Sequence, residues 1–263
     1  MTRRAEPVTH WTRSAGRLLV LAAIVLAWQL AAVVGMLNQR LLPAPLQIAH
    51  AFTEWAASGT LVDDLVSSLL RVLVGFVLAA TLATTLGIAL AVSSLFQRQL
   101  TTIVEILRPI PPIAWIPLAI LWFGTGNNAA FFIVALGAFF PILTSVYLGI
   151  TSVRLVHVNT ARCLGLQRRL MLTDVMLPSA LPTVLVGLRT GLGVGWMSLI
   201  AAELVGAQSG LGYTIQLNRV MLNTDRVIAG MLVIGLVGLA MNRALLQLER
   251  RLTPWHQGIL RTQ

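Results

Sequence analysis

The sequence predicts an all-α polytopic membrane protein, with six transmembrane helices and a short helix in one cytoplasmic loop. Three observations carry this. Of 263 residues, 57% are hydrophobic and only 11% are charged, with a mean hydropathy of +0.82. A soluble domain carries about 25% charged residues, so this chain lacks the charge to cover a soluble surface. Apolar runs of the roughly 20 residues that cross a bilayer recur along the chain. Finally, the arginines gather in alternate connecting segments, as positive charge does on the two sides of a membrane.

The runs place the spans. Residues 18–39 form an uncharged stretch of 22, and residues 72–97 one of 26. Residues 109–153 carry no charge over 45 positions but contain Gly124-Thr-Gly-Asn-Asn128, a turn signal that divides them into two helices. Residues 190–218 are interrupted only by Glu203, and residues 227–242 supply the last run. The expected spans are 18–37, 66–95, 100–122, 129–150, 183–206 and 227–248, in a single domain over 1–263. The first run follows Arg3, Arg4, Arg13 and Arg17 as a secretory signal would. It exceeds the roughly 7–15 apolar residues of such a signal, and five more spans follow, so it reads as a retained helix.

With the N-terminus inside, the inner segments hold Arg3, Arg4, Arg13, Arg17, Arg98, Arg154, Arg162, Arg168, Arg169, Arg250, Arg251 and Arg261, twelve in all. The outer segments hold three, Arg40, Arg219 and Arg226, and collect Glu54, Asp63, Asp64 and Asp225. This asymmetry predicts that both termini are cytoplasmic. It also explains the net charge of +10 without nucleic acid, for which a dense basic patch with interleaved aromatics would be needed. All nineteen basic residues are arginine. Without lysine the chain has no P-loop lysine and no Schiff base, so any ATP must be bound by another chain. A single cysteine, Cys163, leaves no disulfide framework and no multi-cysteine metal site. His10, His50, His157 and His256 are scattered outside the spans, and no nucleophile-elbow or zinc-protease pattern occurs, so neither a metal site nor a catalytic site is expected.

The largest inner loop runs over residues 154–181. Asn159-Thr-Ala-Arg-Cys-Leu-Gly165 reads as a short helix closed by a left-handed glycine. Residues 166–177 form a second amphipathic stretch, expected to stop at Pro178 and Pro182. A projecting helix with small Ala161 on one face suits insertion into a groove of another protein. An interfacial helix held on lipid headgroups by Arg168 and Arg169 explains the same pattern.

The spacing resembles the cytoplasmic motif of permease subunits of binding-protein-dependent ABC importers: Glu-Ala-Ala, three residues, Gly, nine residues, Ile, one residue, Leu-Pro. Ala161, Gly165, Leu177 and Pro178 match it, Val175 replaces isoleucine, and Asn159 and Thr160 depart from it. The sequence Arg108-Pro-Ile-Pro-Pro-Ile-Ala-Trp-Ile-Pro117, with Trp122-Phe-Gly124, Gly187-Leu-Arg189, Ala202-Glu203 and Gly210-Leu-Gly-Tyr213, resembles the nitrate/sulfonate/taurine branch. The tail Arg251-Leu-Thr-Pro-Trp-His256 is similar to that of taurine and alkanesulfonate permeases. The resemblance implies a bacterial cytoplasmic-membrane permease that is not itself an enzyme. It implies that the loop is a coupling helix, with Asn159, Thr160, Ala161, Arg162, Gly165 and Leu166 at the docking site. The expected partners are two ABC ATPase subunits that bind ATP and Mg, a second copy of this chain, an extracytoplasmic substrate-binding protein and the lipid bilayer. The implied cargo is a small oxyanion such as taurine, another sulfonate or nitrate. A membrane enzyme would need a buried catalytic constellation, and a passive channel would leave the loop motif without a purpose.

Several residues are pathway or gate candidates. Pro109, Pro111, Pro112 and Pro117 each remove a backbone donor from the third span, which either breaks it to line a polar cavity or kinks it within a packed bundle. Trp115, Trp122 and Phe123 suit a pathway wall or an aromatic belt equally. Glu203 lies 14 residues beyond Arg189, or about 21 Å along a helix. Glu203 is expected to serve a gate or a structural network. Arg189 can attract an anion or anchor the inner interface. Glu105 and Arg108 have the spacing of a helical ion pair. Gly187, Gly191 and Gly195 repeat every fourth residue, suiting close packing between two copies or within one. Gly206, Gly210 and Gly212, with Gln208 and Ser209, mark an irregular or re-entrant outer segment.

Overall fold

The computed structural model describes residues 10–254. Arg3, Arg4, Trp255, His256 and Arg261, used above for orientation or resemblance, lie outside them. Helix α1 (His10–Val33) carries the first apolar run and ends short of the expected residue 37. Helix α2 (Pro45–Ala57) was not anticipated, because thirteen mixed residues are too few to span a bilayer. It starts on a proline, the Gln47 side chain caps the Ala44 N–H, and its apolar side buries Ile48, Ala51 and Trp55. Helix α3 (Thr60–Val92) follows directly.

The third expected span, 100–122, is two helices. Helix α4 (Ser94–Leu107) ends at the prolines, a 3-10 turn covers Pro112–Trp115, and α5 (Ile116–Phe123) continues at 87° to α4. The cause is local. Pro111 and Pro112 cannot donate the N–H groups that a helix would return to the Leu107 and Arg108 carbonyls, and the residue before a proline is pushed out of the helical region. Pro111 is accordingly extended, at φ −61° and ψ 139°.

Helix α6 (Asn127–Thr151) and the loop helix α7 (Leu155–Cys163) follow. The segment after α7 corrects another expectation. Helix α8 (Arg168–Leu170), a π-helical turn (Met171–Met176) and α9 (Leu177–Gly206) run on as one helix, which neither Pro178 nor Pro182 stops. Pro178 directly follows the π-helical turn, whose wider winding accommodates its ring and missing N–H, so the helix runs on through it. Helices α10 (Leu211–Val220) and α11 (Thr224–Leu252) are the last among the described residues.

Among the described residues, four segments are long and apolar enough to cross a bilayer: α3, α6, 168–206 and α11. The bent α4–α5 pair makes a fifth if it crosses as one, and Ala22–Val33 of α1, the stretch whose side chains are all described, is a shorter apolar helix. Six spans are thus not established by length and composition.

Helix α6 is the centre, packed between α3 and α9. Helices in lipid gain little from hydrophobicity and pack through small residues. The glycine repeat of α9 does this within one copy: a Cβ on Gly187 would overlap Ser145, and one on Gly191 would fall 2.6 Å from Ile142. Across the other face of α6, Gly75 and Gly87 of α3 accept Val134 and Val146 in the same way. The repeat therefore needs no second copy to explain it.

Candidate functional site

The loop helix has the expected cap. The N–H of Gly165 donates to the Arg162 carbonyl and that of Leu166 to the Ala161 carbonyl, with Gly165 at φ +74°. These are the paired bonds of a Schellman end, which demands a left-handed residue. The outward face differs from expectation. Ala161 is buried, together with Val158, so its small side chain fits α7 to its own chain and not to a partner. Helix α7 lies against the π turn, and a larger residue at 161 would push it away. Asn159, Thr160 and Arg162 are exposed, as are Leu155, Val156 and Leu164 at 74%, 71% and 74%. An exposed apolar cluster on a polar loop marks an interaction surface. Arg168 hydrogen-bonds the Val92 carbonyl at 2.9 Å, tying the loop to the end of α3.

At the opposite end of α9, Glu203 belongs to a buried network. Its carboxylate pairs with Arg71 at 2.9 Å and accepts from Ser68 and from the Gly212 N–H. Arg71 also donates to Asn127, to the Ser209 carbonyl and to the Ser209 hydroxyl. Asp64 accepts from the Gly210 N–H and from Thr214. Five segments are joined here, so Glu203 and the glycine-rich segment serve an architectural network. Gly210 and Gly212 are required by it, since a Cβ on either would fall within 2.7 Å of Glu203.

Arg189 is paired with Glu249 of α11 at 3.2 Å, an anchoring role. Glu105 and Arg108 form no ion pair. Trp115 is half-buried against the α5–α6–α9 core, and Trp122 stacks edge-on with Phe123 and Phe132. Pro111 is exposed. Of the proposed pathway residues, Pro112 alone lines the groove described next.

That groove has a volume of about 370 Å³ and opens between the α4–α5 break, α6 and α9. Its polar lining is Arg108, Thr144, Ser145 and Thr190, and its apolar wall includes Ile110, Leu136, Phe140 and Val194. Thr144 and Thr190 donate their protons to the Phe140 and Val186 carbonyls of their own helices. Neither the Arg108 guanidinium nor the Ser145 hydroxyl has a partner among the described residues. Pro141 removes the N–H that would take the Gly137 carbonyl, and both line the groove. A broken helix beside a polar cavity is where non-helical backbone is tolerated at membrane depth. Thr144, Ser145 and Thr190 were missed in sequence because a hydroxyl in an apolar helix carries no signal of which way it faces.

Known proteins agree with this architecture. Residues 83–254 match the family of binding-protein-dependent transport system inner membrane components. The chain is 38% identical over 241 residues to the taurine transport system permease protein TauC of Escherichia coli (strain K12), covering 90% of this chain and 88% of that protein. It is also 38% identical over 252 residues to the putative aliphatic sulfonates transport permease protein SsuC of the same organism, covering 96% of each. A solved chain of the MetNI methionine ABC transporter in an inward-facing conformation shares the fold at a TM-score of 0.66 and 22% identity, over 74% of this chain and 96% of that one. By these matches the chain belongs to the inner membrane component family of binding-protein-dependent transport systems, whose members are permease subunits of ABC transporters and not the ATPase.

Proposed function

We propose that this chain carries a small oxyanion of the sulfonate, taurine or nitrate class inward across the bacterial cytoplasmic membrane, as the permease subunit of an ATP-driven importer. The groove beside Arg108 is the observation that carries this reading: it offers a positive lining with no carboxylate, next to a proline-broken helix. The names of the relatives support the same class of cargo.

Two copies form one pathway, with two ATPase subunits below and a substrate-binding protein above. ATP and Mg belong to the ATPase chains. The exposed Leu155, Val156 and Leu164 of α7 meet the ATPase, with Asn159, Thr160 and Arg162 beside them. ATP binding favours one arrangement of the ATPase pair over the other. Helix α7 follows that shift, so the pathway changes its open side. The twelve-to-three arginine asymmetry supports cytoplasmic termini and places α7 on the cytoplasmic side.

The test is uptake into proteoliposomes by the complex of this chain, its ATPase and its binding protein. ATP-dependent accumulation of taurine, ethanesulfonate or nitrate is expected. Accumulation without ATP, or of cationic solutes alone, would overturn the reading.

A further inference from the structure

We infer that Arg108 and Ser145 form the anion-reading station of this pathway, holding the oxyanion head of the solute in transit; the inference rests on the oxyanion reading above. Four arginines lie in or near the spans, and the fold separates them. Arg71 is consumed by Glu203, Asn127 and Ser209, and Arg189 by Glu249. Arg243 is exposed on α11 and does not line the groove. Of these four, only Arg108, itself exposed, brings to a cavity a guanidinium without a partner among the described residues. Intramembrane charge is costly and is kept where it faces a partner or a water-filled path.

Ser145 adds the second unengaged donor. The two threonines beside it spend their protons on backbone carbonyls, whereas Ser145, half-buried and lining the same cavity, spends its own on nothing. A guanidinium presents its N–H groups in a fork that matches two oxygens of a sulfonate or nitrate, and a hydroxyl can reach a third. The absence of any carboxylate from the lining leaves the anion unopposed. One charge in an open groove of this size binds weakly, as release on the far side requires. The proton-spent threonines and the Gly137 carbonyl supply acceptors for the ammonium of an aminosulfonate, so taurine fits as well as a plain alkanesulfonate.

The experiment uses the whole complex in proteoliposomes with its loaded binding protein, following both uptake and the ATPase stimulation that loading causes. Arg108→Gln should lower uptake of taurine and ethanesulfonate at least about tenfold, while stimulated ATPase stays within about twofold of the unaltered complex. Arg108→Lys, which keeps the charge but not the fork, should retain intermediate uptake. Ser145→Ala should lower uptake by roughly three- to fivefold. Unchanged uptake in Arg108→Gln overturns the station. Uptake and stimulation lost together, in Arg108→Gln and Arg108→Lys alike, overturn it too, since that marks an architectural arginine. An unaltered complex that hydrolyses ATP on loading yet accumulates no oxyanion defeats the cargo reading itself, and the station with it.

Discussion

The end of α9 that carries Glu203 and the groove that carries Arg108 place a guanidinium beside apolar helices in opposite ways. Around Arg71 nearly every donor is matched: a carboxylate, an amide oxygen, a carbonyl and a hydroxyl accept from it, and Glu203 is satisfied in turn by Ser68 and Gly212. Arg108 has none of this. The first arrangement holds five segments in one geometry, and the second leaves its bonds for something else to make. An intramembrane arginine is therefore not a functional residue by type; its unspent hydrogen bonds decide.

The largest effect should come from breaking the matched region on one side only. Arg71→Ala leaves Glu203 buried without its counter-charge, and Glu203→Ala does the converse. Each should cost about 3–5 kcal/mol, read as loss of folded protein in thermal unfolding of the purified complex. The double variant Arg71→Met with Glu203→Leu should be more stable than either single variant, because no uncompensated charge remains. A double variant as unstable as the sum of the two would show that Arg71 and Glu203 contribute independently and not as a pair.

Two glycines of positive φ sharpen the comparison. Gly210 has φ +106°, and a Cβ there meets the Glu203 carboxylate at 2.5 Å and Arg71 at 2.8 Å. Gly165 has φ +74° with nothing within 4 Å. Gly165→Ala should cost only the left-handed strain, about 1 kcal/mol. Gly210→Ala adds overpacking of a rigid network, for about 1–3 kcal/mol more. Equal losses in melting temperature would mean that the network yields more easily than its hydrogen bonds imply.

On the loop helix, Leu164→Glu places charge on an exposed apolar cluster and should leave stability within about 0.5 kcal/mol. Binding of the ATPase subunit in a pull-down should fall all the same. Ala161→Trp should do the reverse, unfolding α7 from its own chain before any partner is involved. The smallest effect belongs to Arg189 and Glu249, whose side chains stay 30% and 21% exposed. Glu249→Gln should change stability by about 0–1 kcal/mol, and a larger drop would mark a second matched region at this end.

Composition and apolar runs were enough to read an all-helical membrane protein, and a glycine placed after a short helix was enough to read the Schellman cap at Gly165, because these depend on solvent preference and on local backbone sterics. The prolines were legible as a disturbance of the third span, but not the 87° bend, since proline removes a donor without saying where the chain goes next. Pro178 misled for the same reason: whether a proline ends a helix depends on what packs around it. Ala161 was legible as a small residue at a contact, but which partner it contacts is a question of packing. Glu203 lies 132 residues from Arg71 and 135 from Ser68, a pairing that no periodicity encodes. Local chemistry thus set the helices, the caps and the breaks. Only the packing of α3, α6 and α9 decided which arginine is buried with a partner and which is left exposed without one, because the match of donors to acceptors exists only once those helices meet.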